Sequence, residues 1–262
     1  MRTKGRNMQE ITSRKNPQLQ HLKKLGTDRA YRDAVGAFLC DGEKLLAEAI
    51  SANLEPTLIV TSRRDFEDDW GPDSAILVPE DVLRSISPLK NPQPVLFACN
   101  MPDNVPKAGA SRVLVLDGVQ DPGNVGTLIR AASAFCVDQV ILIGDCADLY
   151  NPKTIRAAMG ALFWQSVCEM SMDGLVGYVR QNELTLLGAD LTADSRDARD
   201  PLPERIAIVI GSEGQGIRPE VLAHCHETVR IPMEAATESL NAAVAGSILL
   251  WELYRRFTKS DK

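Results

Sequence analysis

The second half of the chain contains short segments made only of apolar residues. Residues 113–116 and 206–210 show this pattern most clearly. A strand with one face in water alternates apolar and polar residues, so an unbroken apolar strand is buried on both faces. Strands of that kind belong to parallel sheets whose two faces are covered by helices. This feature predicts an α/β fold for the region.

Segments with helical periodicity separate these strands. A regular alternation of strands and helices predicts a doubly wound α/β domain. We predict strands at residues 113–116, 139–143, 165–169, 184–189, 206–210 and 228–231, and helices at about 124–135, 152–162, 173–181, 219–225 and 239–257.

A smaller α/β pattern precedes this region. We predict a helix after Asn16, a second helix at 42–52, and strands at 38–40, 56–61, 75–78 and 94–99. Residues 101–111 contain two prolines and a glycine and lack periodicity, which indicates a linker. The 262 residues therefore divide into a small α/β domain at 1–103, a linker at 104–111 and a larger α/β domain at 112–262.

The charge is distributed unevenly along the chain. The formal net charge is −6, which by itself argues against a polyanionic partner. Residues 1–32, however, hold nine basic and two acidic residues, so this segment carries +7 and the rest carries −13. On charge alone, this basic arm is either a solvated helix face with a flexible terminus or a surface that docks a polyanion. Its candidate docking residues are Arg14, Lys15, Lys23, Lys24, Arg29 and Arg32.

The sequence shows no secretory signal and no apolar segment long enough to cross a membrane, so we expect a cytoplasmic protein. The six cysteines match no zinc spacing. His224-Cys225-His226 is the one local cluster of metal ligands, and a site there would have to recruit carboxylates. We therefore expect no metal.

Ligands of open α/β sheets bind beyond the carboxyl ends of the strands, so the segments that follow the strands are the candidate sites. After the first strand, Pro122 and Gly123 form a tight turn, and Asn124 can cap the next helix or face a ligand. Arg130 follows in an otherwise apolar helical segment, either as a salt-bridged surface residue or as a functional cation.

Two further segments follow the fifth and sixth strands. Gly211-Ser-Glu-Gly-Gln-Gly216 lets the backbone approach a ligand closely, but its glycine spacing fits neither a dinucleotide site nor a phosphate loop. Glu213 would repel phosphates, so it suits a cationic ligand or the orientation of an arginine. The segment after Ile231 leads to Ser239, which we expect to cap the last helix, and to Asn241 in its first turn.

Together these segments resemble the SpoU/TrmH family of RNA 2′-O-ribose methyltransferases, within the SPOUT superfamily. The motifs are Asn124-x-Gly126-x-x-x-Arg130, Ile210–Gly216, and Ile231-Pro-Met233 leading to Ser239-Leu-Asn241, in the family's order. The first 103 residues are similar to the ribosomal-protein L30e-like substrate-binding domain that many members carry.

The resemblance implies a fold, a cofactor and an assembly. The fold is α/β, with a C-terminal SPOUT-type parallel sheet that contains a trefoil knot. The cofactor is S-adenosylmethionine, and the protein is a homodimer with active sites at the subunit interface. Cofactor contacts carry over to Gly188, Ala189, Gly211, Ile231, Met233 and Leu240.

The resemblance also implies the reaction, which is methylation of a ribose 2′-hydroxyl in RNA. It assigns the activating role to Arg130; we expect Asn124 and Glu213 to orient that guanidinium, and Ser239 and Asn241 to position the nucleotide. The ribosomal-protein-like domain favours ribosomal RNA, in particular the 23S species, over transfer RNA. A non-catalytic RNA-binding or ribosome-assembly protein with the same fold is the alternative.

Overall fold

The computed structural model describes residues 8–66, 75–192, 194–234 and 239–257. The described residues form two compact units, within Met1–Pro102 plus Tyr150–Arg156 and within Asp103–Leu149 plus Ala157–Lys262. Among the described helices, none has both the length and the hydropathy that a membrane crossing requires.

The first unit is a five-stranded mixed sheet with helices. Its strand order is β1-β4-β3-β5-β2, and β5 runs antiparallel to both of its neighbours. The elements are β1 (Gln9–Glu10), α1 (Pro17–Thr27), α2 (Arg29–Val35), β2 (Ala37–Asp41), α3 (Glu43–Ser51), β3 (Pro56–Thr61), β4 (Ala75–Leu77), α4 (Glu80–Ile86) and β5 (Val95–Asn100).

Helix α1 shows how the sequence directs the local fold of this unit. The side chain of Asn16 accepts a hydrogen bond from the amide of Gln18 at 2.9 Å, and Pro17 occupies the first helical position. Leu19, Leu22 and Leu25 recur at helical spacing and are fully buried in the core of the unit. Capping and periodicity therefore define the helix together.

The second unit is built on a seven-stranded parallel sheet of order β10-β12-β9-β11-β6-β7-β8. The strands are β6 (Arg112–Asp117), β7 (Gln139–Ile143), β8 (Val167–Glu169), β9 (Thr185–Ala189), β10 (Arg196–Asp197), β11 (Ile206–Gly211) and β12 (Glu227–Arg230). The helices of this unit are α5 (Pro122–Ala134), α7 (Met172–Gln181), α8 (Pro219–Leu222) and α9 (Ala242–Phe257), whereas most of α6 (Pro152–Ala158) belongs to the first unit.

The α/β class and the parallel sheet predicted from the apolar segments are confirmed. The central strands β6 and β11 pair in register from Arg112 and Ile206 onwards, and their interior residues are almost completely buried. Leu175 and Val179 of α7 pack into a core cluster with these strands. The trefoil knot and the L30e-like fold of the first unit stay predictions.

The structure corrects the predicted boundaries of several elements. The helix expected at 152–162 ends at Ala158, because Met159 and Gly160 adopt positive φ angles of 50° and 86°, and a separate 3-10 turn follows at Ala161–Phe163. Strand β10 has only two residues, too few to leave a periodic signal. The predicted linker is bound to the second unit from Lys107 onwards, since Gln139 and Asn182 accept its backbone amides.

Candidate active site

A cavity of about 230 Å³ lies at the carboxyl ends of β9, β11 and β12. Its walls are the segments that follow these strands and the first turns of α9. This is the edge of a parallel sheet at which ligands bind in doubly wound folds. The cavity is therefore the candidate cofactor site.

Five of the six predicted cofactor residues line this cavity: Ala189, Gly211, Ile231, Met233 and Leu240. The sixth, Gly188, does not. It is buried, and a side chain there would contact Ile217, Leu222 and Cys225. Gly188 thus serves close packing behind the cavity, because successive residues of a strand face opposite sides of the sheet.

The glycine-rich loop after β11 folds back onto its own start. Ser212 and Gly216 exchange two backbone hydrogen bonds of 3.0 Å, and Gly216 has a φ of +69°. A Cβ at Gly211 would overlap the backbone of Gly216 and Ile217. Only glycine fits at position 211, so this residue determines the shape of the cavity wall.

Asn124, Glu213 and Asn241 form a hydrogen-bonded network beside the cavity. The Asn124 Nδ2 donates to Glu213 Oε1, and the Asn124 Oδ1 accepts from Asn241 Nδ2 at 3.1 Å. The residues follow β6, follow β11 and precede α9, respectively. The three motifs, far apart in sequence, therefore meet at one place.

The capping role expected for Ser239 belongs to Asn241. Helix α9 begins at Ala242, and Asn241 Oδ1 accepts the amides of Ala243 at 2.9 Å and Val244 at 3.2 Å. Ser239 lies before the helix, where it lines the cavity. Its hydroxyl makes no hydrogen bond with the described part of the chain.

Arg130 is exposed on α5, and its guanidinium has no hydrogen bond or ion pair among the described residues. Within the described residues, Asn124 and Glu213 bond to each other and not to Arg130, so their expected orientation of this guanidinium stays a prediction. Six residues of α-helix also rotate Arg130 by about 240° from Asn124. Arg130 therefore carries a charge that no described residue neutralises by a hydrogen bond or an ion pair.

An ion pair between buried Asp117 and partly exposed Arg218, which the sequence analysis did not predict, holds the end of the glycine-rich loop to the sheet. Asp117, fully buried at the end of β6, accepts the backbone amide of Arg218 at 2.8 Å and its Nε at 2.6 Å. The side-chain hydrogen bond raises the pKa of the Arg218 guanidinium. The available signal was the position of Asp117 at the end of a buried strand.

The basic arm is partly accessible. Lys15, Lys23, Lys24 and Arg29 are exposed, and Arg14 forms a surface ion pair with Asp81 at 2.6 Å. Arg32 corrects the prediction, because its side chain is buried and donates to the carbonyl of Leu25 at 2.6 Å. It stabilises the packing of α1 and α2. Residues 1–7 of the arm lie outside the described ranges.

The His224-Cys225-His226 cluster has a structural role at His226. The backbone amide of Leu186 donates to His226 Nδ1 at 3.0 Å, and the His226 amide donates to the Leu186 carbonyl at 2.8 Å. No group of three or more metal-binding side chains occurs within the described ranges.

Comparison with known proteins supports the family resemblance of the sequence motifs. Residues 111–251 match the SpoU rRNA Methylase family, and residues 16–97 match the MRM3-like substrate binding domain. The chain is 32% identical to the 23S rRNA (guanosine(2553)-2′-O)-methyltransferase RlmP of Bacillus subtilis, over 94% of this chain and 99% of that protein.

Two solved structures with bound S-adenosylmethionine (AdoMet) are similar over nearly the whole chain. The rRNA methyltransferase of Sinorhizobium meliloti has a TM-score of 0.82 at 27% identity, covering 95% of this chain and 98% of that one. The SpoU methyltransferase AviRb of Streptomyces viridochromogenes has a TM-score of 0.83 at 25% identity, covering 93% and 99%.

The parallel sheet, the cavity at its carboxyl edge and the folded glycine-rich loop define an α/β methyltransferase of the SPOUT type. Within that class, the chain belongs to the SpoU rRNA Methylase family.

Proposed function

We propose that this protein transfers a methyl group from S-adenosylmethionine to a ribose 2′-hydroxyl of ribosomal RNA. The observation that carries the proposal is the Asn124–Glu213–Asn241 network beside a cavity lined by five predicted cofactor residues. The family and the RlmP relative support the reaction and the RNA class.

The cavity fits this cofactor in shape and in charge. Its walls are mostly apolar, with backbone groups exposed by Gly211, as an adenine ring and a thioether require. Two carboxylates and one guanidinium among its described lining residues give one net negative charge. S-adenosylmethionine carries one net positive charge at neutral pH, so cavity and cofactor are complementary.

The residues of the chain have distinct tasks in this reaction. When bound, the cofactor supplies an activated methyl group on a positively charged sulfur. The Arg130 guanidinium stays protonated, so it is a poor base; it binds a substrate phosphate and stabilises negative charge as the ribose oxygen loses its proton. Asn124 and Asn241 hold the motifs in place, and Ser239 donates to the bound nucleotide.

The domains divide the work between RNA and cofactor. Residues 1–103 form the RNA substrate-binding domain, residues 104–111 the linker, and residues 112–262 the catalytic domain. The exposed cations Lys15, Lys23, Lys24 and Arg29 support an RNA-docking role for the first domain. We also propose the cytoplasmic location that the sequence leads us to expect.

The active form is a homodimer whose subunits meet at α5 and α9. Trp251 is 48% exposed, and its ring lies 5.7 Å from that of Phe135 and 6.1 Å from that of Tyr254. Val244, two turns earlier on α9, is also 48% exposed. An apolar aromatic surface of this kind on a soluble domain favours association. It also places the unpartnered Arg130, on α5, near a second subunit.

The test compares ribosomal RNA from cells with and without the gene by mapping of ribose-methylated nucleotides. We expect one ribose methylation to disappear with the gene and to return with the wild-type copy. A methylation lost only from transfer RNA would show that transfer RNA, and not ribosomal RNA, is the substrate. Absence of S-adenosylmethionine binding by calorimetry would favour the non-catalytic alternative.

A further inference from the structure

Three charged side chains occur among the described residues that line the cavity: Asp190, Glu213 and Arg230. Glu213 is bonded to Asn124 and belongs to the motif network. Asp190 and Arg230 lie outside the three motifs, and nothing so far gives them a task. An acid and a base in one small-molecule cavity suggest that they recognise opposite charges on its ligand.

Asp190 and Arg230 are neighbours across two parallel strands. Ala189 of β9 pairs in register with Val229 of β12, and each charged residue comes one position later. The amide of Asp190 donates to the carbonyl of Val229 at 3.0 Å, so the ladder continues to this point. Both residues therefore stand at the carboxyl edge of the sheet, where they line the cavity.

Neither side chain uses its charge within the described part of the protein. Asp190 Oδ1 accepts only the amide of Leu191 at 2.8 Å, and the Arg230 guanidinium makes no hydrogen bond or ion pair with a described residue. The two side chains do not pair with each other either. Two adjacent opposite charges are thus left open toward the cavity.

The carboxylate in register with Arg230 on its other side is already engaged. Asp197 of β10 accepts two hydrogen bonds from the Arg199 side chain, at 2.9 and 2.7 Å. Arg199, with a smaller contribution from Arg230, lowers the pKa of Asp197 to about 2. Arg230 therefore keeps its donors available, although it feels the field of that carboxylate.

We propose that Asp190 and Arg230 bind the amino-acid end of the cofactor, with Asp190 accepting from its ammonium group and Arg230 donating to its carboxylate. The planar guanidinium suits a carboxylate because two parallel hydrogen bonds can form. The inference rests on the proposed function, because it assumes that S-adenosylmethionine occupies this cavity.

The experiment measures calorimetric dissociation constants of Arg230→Met and Asp190→Asn for three probes. S-adenosylmethionine and S-adenosylhomocysteine contain the amino-acid end, whereas 5′-methylthioadenosine lacks it. Loss of one charge-assisted contact should raise the dissociation constants of the first two probes by about tenfold or more. Binding of 5′-methylthioadenosine should stay within about twofold of the wild type, because that probe makes neither contact.

The matched control is Arg180→Met, which removes an exposed arginine of α7 outside the cavity and should leave all three constants unchanged. Unchanged binding of S-adenosylmethionine by both cavity variants would overturn the inference. An equal rise in the dissociation constants of all three probes would also overturn it, because this result would indicate a structural role. Weaker RNA binding by Arg230→Met with normal cofactor binding would assign that residue to an RNA phosphate instead. If the folded wild-type protein binds none of the probes, the proposed function itself fails.

Discussion

At the scale of single residues, Arg130 is the side chain on which the proposed chemistry depends most. We expect Arg130→Ala to fold and to bind S-adenosylmethionine normally, because the side chain is exposed and makes no described contact. Methyl transfer should fall by at least about 100-fold, as loss of a group that stabilises a developing oxyanion typically does. Single-turnover assays with labelled cofactor measure this, with Arg180→Ala as the exposed-arginine control.

Asn241 and Ser239 give a second test at this scale. Removing the cap in Asn241→Ala should lower the free energy of unfolding by about 1 kcal/mol and also break the contact with Asn124. Ser239→Ala should change stability by less than about 0.5 kcal/mol, because its hydroxyl bonds to no described residue. Urea denaturation of both variants measures the difference. Equal destabilisation would contradict the assignment of the cap to Asn241.

The sequence predicts which residues form the site, but it does not predict how they contact one another. Asn124, Glu213 and Asn241 stand out because each lies next to a strand end or a helix start, and those positions follow from periodicity. Their mutual hydrogen bonds depend on three-dimensional loop paths, so the contact between Asn124 and Glu213 could not be predicted from their positions in the sequence. The burial of Arg32 also depends on tertiary structure, because the sequence places this basic residue in a basic segment, where an exposed side chain is the expectation.

At the scale of elements, the loop after β11 determines the shape of the cavity. We expect Gly211→Ala to lose about 1–3 kcal/mol of stability, because the added methyl overlaps backbone that cannot move aside. The dissociation constant for S-adenosylmethionine should rise by about tenfold or more. Calorimetry measures the affinity, and urea denaturation measures the stability.

The control for this variant lies in the same loop. A methyl at Gly214 would meet no atom within 4 Å, and its φ is not positive. Gly214→Ala should therefore bind the cofactor within about twofold of the wild-type value. If both variants bind the cofactor equally well, the close backbone contact at Gly211 does not determine the shape of the site.

Strands buried on both faces could be predicted well, because their unbroken apolar segments are short and rich in β-branched residues, which favours a strand over a buried helix. Pro56–Thr61 and Gln139–Ile143 have the predicted bounds, and the other long strands differ by one or two residues. Short elements could not be found this way. Strand β10 spans two residues, and α6 stops where Met159 and Gly160 adopt positive φ, a change of backbone conformation that apolar periodicity does not register.

At the scale of the whole molecule, the proposed docking of RNA on the basic arm can be tested through its salt dependence. Replacing Lys23, Lys24 and Arg29 by glutamine should weaken RNA binding and reduce the salt slope by about 0.7–0.9 for each lost phosphate contact. Arg32 is left intact, because its buried side chain supports the fold. Filter binding at several salt concentrations measures the slope, and an unchanged slope would remove the arm from the RNA interface. Cofactor affinity should not change.

The assembly has a separate test. Trp251→Glu places a charge in the aromatic surface of α9, so we expect sedimentation at the mass of one chain. Val105→Glu is the control, since Val105 is 70% exposed and lies outside that surface. It should sediment as the wild type does. A monomeric wild-type protein, or a dimeric Trp251→Glu variant, would contradict dimerisation through α5 and α9.

The chemical position of the transferred methyl group distinguishes ribose methylation from every other reaction of this cofactor with RNA. Purified protein is incubated with ribosomal RNA and labelled S-adenosylmethionine, and the RNA is then hydrolysed in alkali. A 2′-O-methyl group blocks cleavage at its own nucleotide, so we expect label in alkali-resistant dinucleotides and at least about 100-fold less of it with Arg130→Ala. Label in single nucleotides would show methylation of a base and would contradict the account, as would the absence of transfer by the wild-type protein.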